Sequence, residues 1–116
     1  MTVFNIVSRN RPPMQVEGEK VAEAIGSFHT MMVIETKDGY IGVLRMEYGN
    51  FNRQIASKGK NKTAMLHWLN RVLGSPRPKL VRDAFYNSYR NGLSEEPVVD
   101  DLYDQIRSVI VQLQGE

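Results

Sequence analysis

Hydrophobic and polar positions change rhythm about halfway along the chain. The first half carries short β-branched and methionine-rich runs, and the second repeats apolar residues every three or four positions. Val3-Phe4-Asn5-Ile6-Val7 reads as a short strand. It ends at Ser8-Arg9-Asn10-Arg11-Pro12-Pro13, where paired prolines can neither join a ladder nor continue a helix. Between Glu17 and Ile25 the spacing of Val21, Ala24, Ile25 and then Phe28 predicts a short helix, stopped by Gly26. Met31 to Thr36 and Tyr40 to Glu47 are then two β-rich runs on either side of Lys37-Asp38-Gly39. Asp-Gly between such runs is a strong hairpin signal, because glycine tolerates the positive φ that tight turns demand. Tyr48 to Gly59 reads either as a third strand over Phe51 to Ile55, reached through Gly49-Asn50, or as an irregular loop.

Three helices are expected in the second half. In the first, from about Lys62 to Leu73, the residues Met65, Leu66, Trp68, Leu69, Val72 and Leu73 share one side, opposite His67 and Arg71. Gly74-Ser75-Pro76-Arg77-Pro78 interrupts it, with Pro78 suited to a first helical turn. The second runs from there to about Asn91, and Gly92 stops it. The third follows Ser94-Glu95-Glu96-Pro97, where Ser94 can cap and the glutamates suit the positive helix end. Its Val99, Leu102, Tyr103, Ile106, Val109, Ile110 and Leu113 form a continuous stripe, with Asp100, Asp101 and Asp104 opposite.

Strands early and helices late predict an α+β fold. The expectation is a small antiparallel sheet, made of the N-terminal strand plus the hairpin around Asp38-Gly39. It would pack with one short helix and three C-terminal helices. A chain of 116 residues suits a single domain over 1–116, divided into a strand-rich part at 1–56, a basic connector at 57–62 and a helical part at 63–114.

Composition excludes several classes. With 41% hydrophobic and 24% charged residues the chain is ordinary globular material, neither disordered nor of low complexity. It has no cysteine, so disulfides, thiolate metal sites and cysteine nucleophiles are excluded. The N-terminal apolar stretch is too short for a signal peptide, and no run approaches the ~20 apolar residues of a membrane span. A cytoplasmic location with no membrane partner is therefore expected.

Charge is more informative than its net value of +2. Residues 1–44 sum to −1, residues 45–90 to +8 and residues 91–116 to −5. On the expected middle helix, Lys79, Arg82, Tyr86 and Arg90 fall within an arc of about 80°. Cations neutralise phosphates and an aromatic ring stacks on an exposed base, which is how nucleic-acid surfaces work. Lys58, Lys60, Lys62 and Arg77 would widen that patch. The same face also reads as solvated surface, or as a partner for the acidic third helix.

Other chemistry finds little support. Gly59-Lys60-Asn61-Lys62-Thr63 fails as a phosphate loop: Gln54 stands where its first glycine belongs, and Asn61 where its hydroxyl residue belongs. The helix–turn–helix reading of residues 62–91 is weakened by a long, stiff connector. His29 and His67 have no catalytic partners placed by the sequence, and no Gly-x-Ser-x-Gly elbow exists. Asp100, Asp101 and Asp104 read as first-turn carboxylates rather than metal ligands.

The sequence thus points to a small non-catalytic binding or regulatory protein, without cofactor or metal, whose basic helix contacts DNA or RNA. The competing reading is a protein-interaction module or inhibitor, of the size that phages and mobile elements encode. Such a module would bind a host protein or complex. It would engage that partner, or a second copy in a homodimer, through the methionine-rich hairpin edge or the acidic helix.

Overall fold

A computed structural model describes residues 2–8, 11–48, 51–74 and 95–115. These form five strands, β1 (Thr2–Ile6), β2 (Met14–Ile25), β3 (His29–Thr36), β4 (Gly39–Tyr48) and β5 (Phe51–Gly59). Two helices follow, α1 (Lys62–Gly74) and α2 (Glu95–Gln114). The strands make one antiparallel meander in the order β1-β2-β3-β4-β5.

The α+β class agrees with the sequence reading, but the element list needs correction. The short helix expected over Glu17 to Ile25 is instead the greater part of a twelve-residue strand. Its register with β3 shifts between Lys20 and Ala22, a β-bulge that leaves Val21 as the extra residue. That insertion breaks the two-residue alternation and makes Val21, Ala24 and Ile25 imitate helical spacing. Ile25, expected on the buried stripe, is 72% exposed. The sheet therefore has five strands, β5 being the optional third strand extended to Gly59. Ser57 to Gly59 belong to it rather than to a connector. The described residues hold two helices, not three plus a short one; the middle helix expected over 78–91 lies outside them.

Alternation along β3 and β4 sends side chains to two separate cores. Met31, Val33, Leu44 and Met46 face the helices and pack with Met65, Leu69, Leu102, Ile106, Val109 and Leu113. Ile34, Ile41, Val43 and Ala56 face the other way and meet Ile6, with Phe4, Met14 and Val16 at its edge. The second core exists because β2 serves two neighbours: Met14 to Gly18 pair with β1, and Glu19 to Ile25 pair with β3. The β1–β2 arm thereby folds over the face that the helices leave bare. Gly18 permits this crossing, since a Cβ there would run into the Glu35 carbonyl and Ile34. Arg11 Nε donates to the Ala56 carbonyl at 3.3 Å, tying the arm's tip to β5.

The hairpin expected around Asp38-Gly39 is present. Thr36 pairs with Gly39 across a two-residue turn of Lys37 and Asp38. Gly39 takes a φ of 140°, and a Cβ there would strike the Gly59 carbonyl. The apolar stripes of α1 and α2 also fall where the periodicity placed them. No helix of the described residues is long and apolar enough to cross a membrane.

Candidate functional site

The β5–α1 corner positions the predicted lysines. Strand β5 ends at Gly59 and α1 begins almost at once; glycine permits this close approach, since a Cβ there would lie only 3.0 Å from the Met65 nitrogen. Asn61 caps the helix: its Oδ1 accepts from the Ala64 N–H at 2.8 Å and its carbonyl from the Met65 N–H at 3.1 Å. Lys58 thus sits at the end of β5 opposite Ile41, Lys60 in the turn, and Lys62 at the first helical position. Lys58 and Lys60 are exposed, whereas Lys62 is half-buried.

Two depressions flank this corner. A cleft of about 660 Å³ opens between the β1–β2 arm and the β3–β4 turn. Val16, Tyr40 and Ile41 line it, and Lys37, Lys58 and Lys60 border it together with Glu17 and Asp38. On the helix side a shallower groove of about 570 Å³ runs between β5 and α1, lined by Ser57, Lys58, Asn61, Thr63, Ala64, His67, Trp68 and Arg71. Lys58 borders both. The six-membered ring of Trp68 rests over the β4 backbone, where Cζ3 is 2.7 Å from where a Gly42 Cβ would stand. Glycine at that position lets the indole settle on the sheet.

The structure brings together Lys58, Lys60 and Lys62, and adds Lys37, His67, Trp68 and Arg71, which the sequence did not assemble. Lys37 lies in the hairpin turn, far in sequence from the other lysines. Arg77, Lys79, Arg82, Tyr86 and Arg90 lie outside the described residues.

A second constellation was also missed. The Asp101 carboxylate faces inward to the β2–β3 turn, not outward with Asp100 and Asp104 as the wheel suggested. It accepts from the N–H groups of Ser27, Phe28 and His29 at 2.9, 3.0 and 2.8 Å, and meets His29 Nδ1 at 2.9 Å. His29 is 1% exposed. Burial pushes its imidazole below the ordinary 6.5, outweighing the upward pull of the Asp101 bond and charge. Burial alone would raise the Asp101 carboxyl, but the bonds from His29, Phe28 and Ser27 outweigh it and hold the group below 3.8. The neutral imidazole therefore carries its proton on Nδ1, since an ionised carboxylate can only accept. A carboxylate orienting a histidine has the outline of a catalytic pair. Here the imidazole is 1% exposed, and its bond to Asp101 ties α2 to the β2–β3 turn.

Comparison with protein-family models, with curated proteins and with solved structures finds no match to this chain.

Proposed function

We propose that this chain is a non-catalytic binding protein whose basic corner contacts nucleic acid. What carries the reading is how unevenly the charges are used. Away from the corner, several charged groups meet local partners: Lys20 with Glu23 at 3.0 Å, Arg45 with Glu47 at 2.6 Å, Arg107 with Asp104 at 3.7 Å, and His29 with Asp101. Lys37, Lys58, Lys60 and Arg71 have no carboxylate within 4.0 Å among the described residues. Cations gathered without direct ion pairs suit a polyanion, whose condensed counterions they release on binding. The candidates Arg77, Lys79, Arg82, Tyr86 and Arg90 join this proposal on sequence grounds.

Anisotropy of a labelled oligonucleotide, titrated at 50 and 200 mM salt, tests it. Four phosphate contacts would weaken binding about 100-fold over that fourfold rise in salt. Lys58→Ala with Lys60→Ala should lower the slope of log affinity against log salt by about 2. Arg82→Ala with Arg90→Ala tests the middle segment in the same way. Absence of binding at 50 mM salt, or a slope that neither pair changes, would refute the reading. A co-purifying protein retained by both double variants would favour the interaction-module alternative instead.

A further inference from the structure

The groove beside α1 differs from the larger cleft in one decisive respect. Glu17 and Asp38 border the cleft, whereas no carboxylate lines the groove. Its lining combines an indole with an arginine, a histidine and short polar side chains. On α1, His67 and Arg71 lie one turn apart and flank Trp68, and Thr63 stands one turn before His67. From Thr63 to Arg71 this wall is about 12 Å long at 1.5 Å per residue.

Trp68 is recessed. It packs against the core that includes Met65 and Leu44, and it reaches the groove only in part. A base inside a duplex has its ring faces covered by its neighbours and cannot enter such a recess. An unpaired base can enter edge-first and lie against the indole, as bases do on the aromatic platforms of single-strand binders. The guanidinium of Arg71 then stands on the α1 wall for an adjoining phosphate.

We propose that this groove accepts one unpaired nucleobase against Trp68, with a flanking phosphate on Arg71, and so makes the protein selective for single strands. The proposal rests on the corner being a nucleic-acid surface, and adds to that reading a substrate class and a contact.

Trp68 is the sole tryptophan, so its emission reports on the groove without a label. The full chain is titrated with oligothymidylate and with a blunt duplex of equal charge, following both anisotropy of the labelled nucleic acid and tryptophan emission. The expected result is quenching that saturates with the single strand, and binding about tenfold or more tighter than to the duplex, the worth of one stacked base. Trp68→Phe should keep the preference, because phenylalanine still offers a ring, while Trp68→Leu should lose it. Arg71→Glu should weaken single-strand binding more than tenfold while leaving the melting transition near that of the parent. Equal affinity for strand and duplex with unchanged emission overturns the single-strand proposal and leaves the basic corner standing. Absence of binding to either at low salt overturns both. Because the parent protein's quenching and selectivity decide the matter, a poorly folded Trp68→Leu does not leave it open.

Discussion

The Asp101 carboxylate gathers the N–H groups of three consecutive residues, Ser27, Phe28 and His29, and the ring of the last. Gly26 leaves it room, since a Cβ there would run into that carboxylate and the Gln105 amide. Replacing Asp101 with alanine orphans those donors and the buried imidazole together. We expect a loss of about 2–4 kcal/mol, read as a lower denaturant midpoint with an unchanged m-value. A loss below about 1 kcal/mol would show that water replaces the carboxylate at little cost. The same pair makes stability depend on pH, in a direction that follows from proton counting. His29 titrates below 6.5 in the fold, so on acidification through 6.5 the unfolded chain takes up a proton that the native state refuses. Stability from His29 is thus full above 6.5 and is lost down to its folded value. Asp101, held below 3.8, contributes stability above 3.8 and loses it as pH falls through its lower folded value. Unfolding followed from pH 8 to pH 3 should show decline in two stages, and His29→Leu should flatten the upper one. An unchanged upper stage in that variant would assign it to other groups.

At the scale of elements, α1, α2 and the β3–β4 hairpin were legible because each has a clean period and a clear turn or cap. The stripe from Leu102 to Leu113 is buried as its spacing implied. Strand β2 was not legible, for two physical reasons. Its bulge at Val21 resets the alternation, and Glu19, Lys20, Ala22, Glu23 and Ala24 all have higher helix than strand preference, which pairing overrides. Strand β5 was ambiguous because Asn52, Arg53 and Gln54 carry no alternating apolar signal. The candidate site was legible only in part. The run of Lys58, Lys60 and Lys62 stands in the sequence, but Lys37 and Trp68 join it through pairings of β4 with β3 and β5. Asp101 looked like a solvated helix residue because no sequence spacing links it to a turn more than seventy positions earlier. One further contact belongs to this scale. The outer edge of β2 at Glu23 is covered by Gln112 of α2, whose amide oxygen accepts from the Glu23 N–H at 3.0 Å and whose nitrogen donates to its carbonyl at 2.9 Å. Gln112→Ala should cost about 1–2 kcal/mol and uncover an edge that can pair with another chain. Light scattering would then show stronger concentration-dependent association than the parent's; scattering equal to the parent's would mean the edge is protected by other means.

For the molecule as a whole, one sheet serves two cores, and the core under the β1–β2 arm depends on Gly18. Gly18→Ala places a methyl against the Glu35 carbonyl, so the arm must lift and expose Ile6, Ile34 and Ile41. A loss of at least about 2 kcal/mol is expected, with faster hydrogen exchange in β1 and slow exchange kept in β3. Uniform acceleration across the sheet would instead make the two cores one cooperative unit. The division also has a consequence for the order of events in folding. Every strand pairs with its neighbour in sequence, so the meander can zip hairpin by hairpin over short loops. The contact of Asp101 with His29 spans 72 positions and that of Gln112 with Glu23 spans 89, circuits far longer than any hairpin. A loop of that length is entropically dear to close before other contacts have shortened it, so α2 docks late. Weakening the Asp101 contact should therefore hasten unfolding far more than it slows folding, and the carboxylate would act mainly as a brake on the native state's escape.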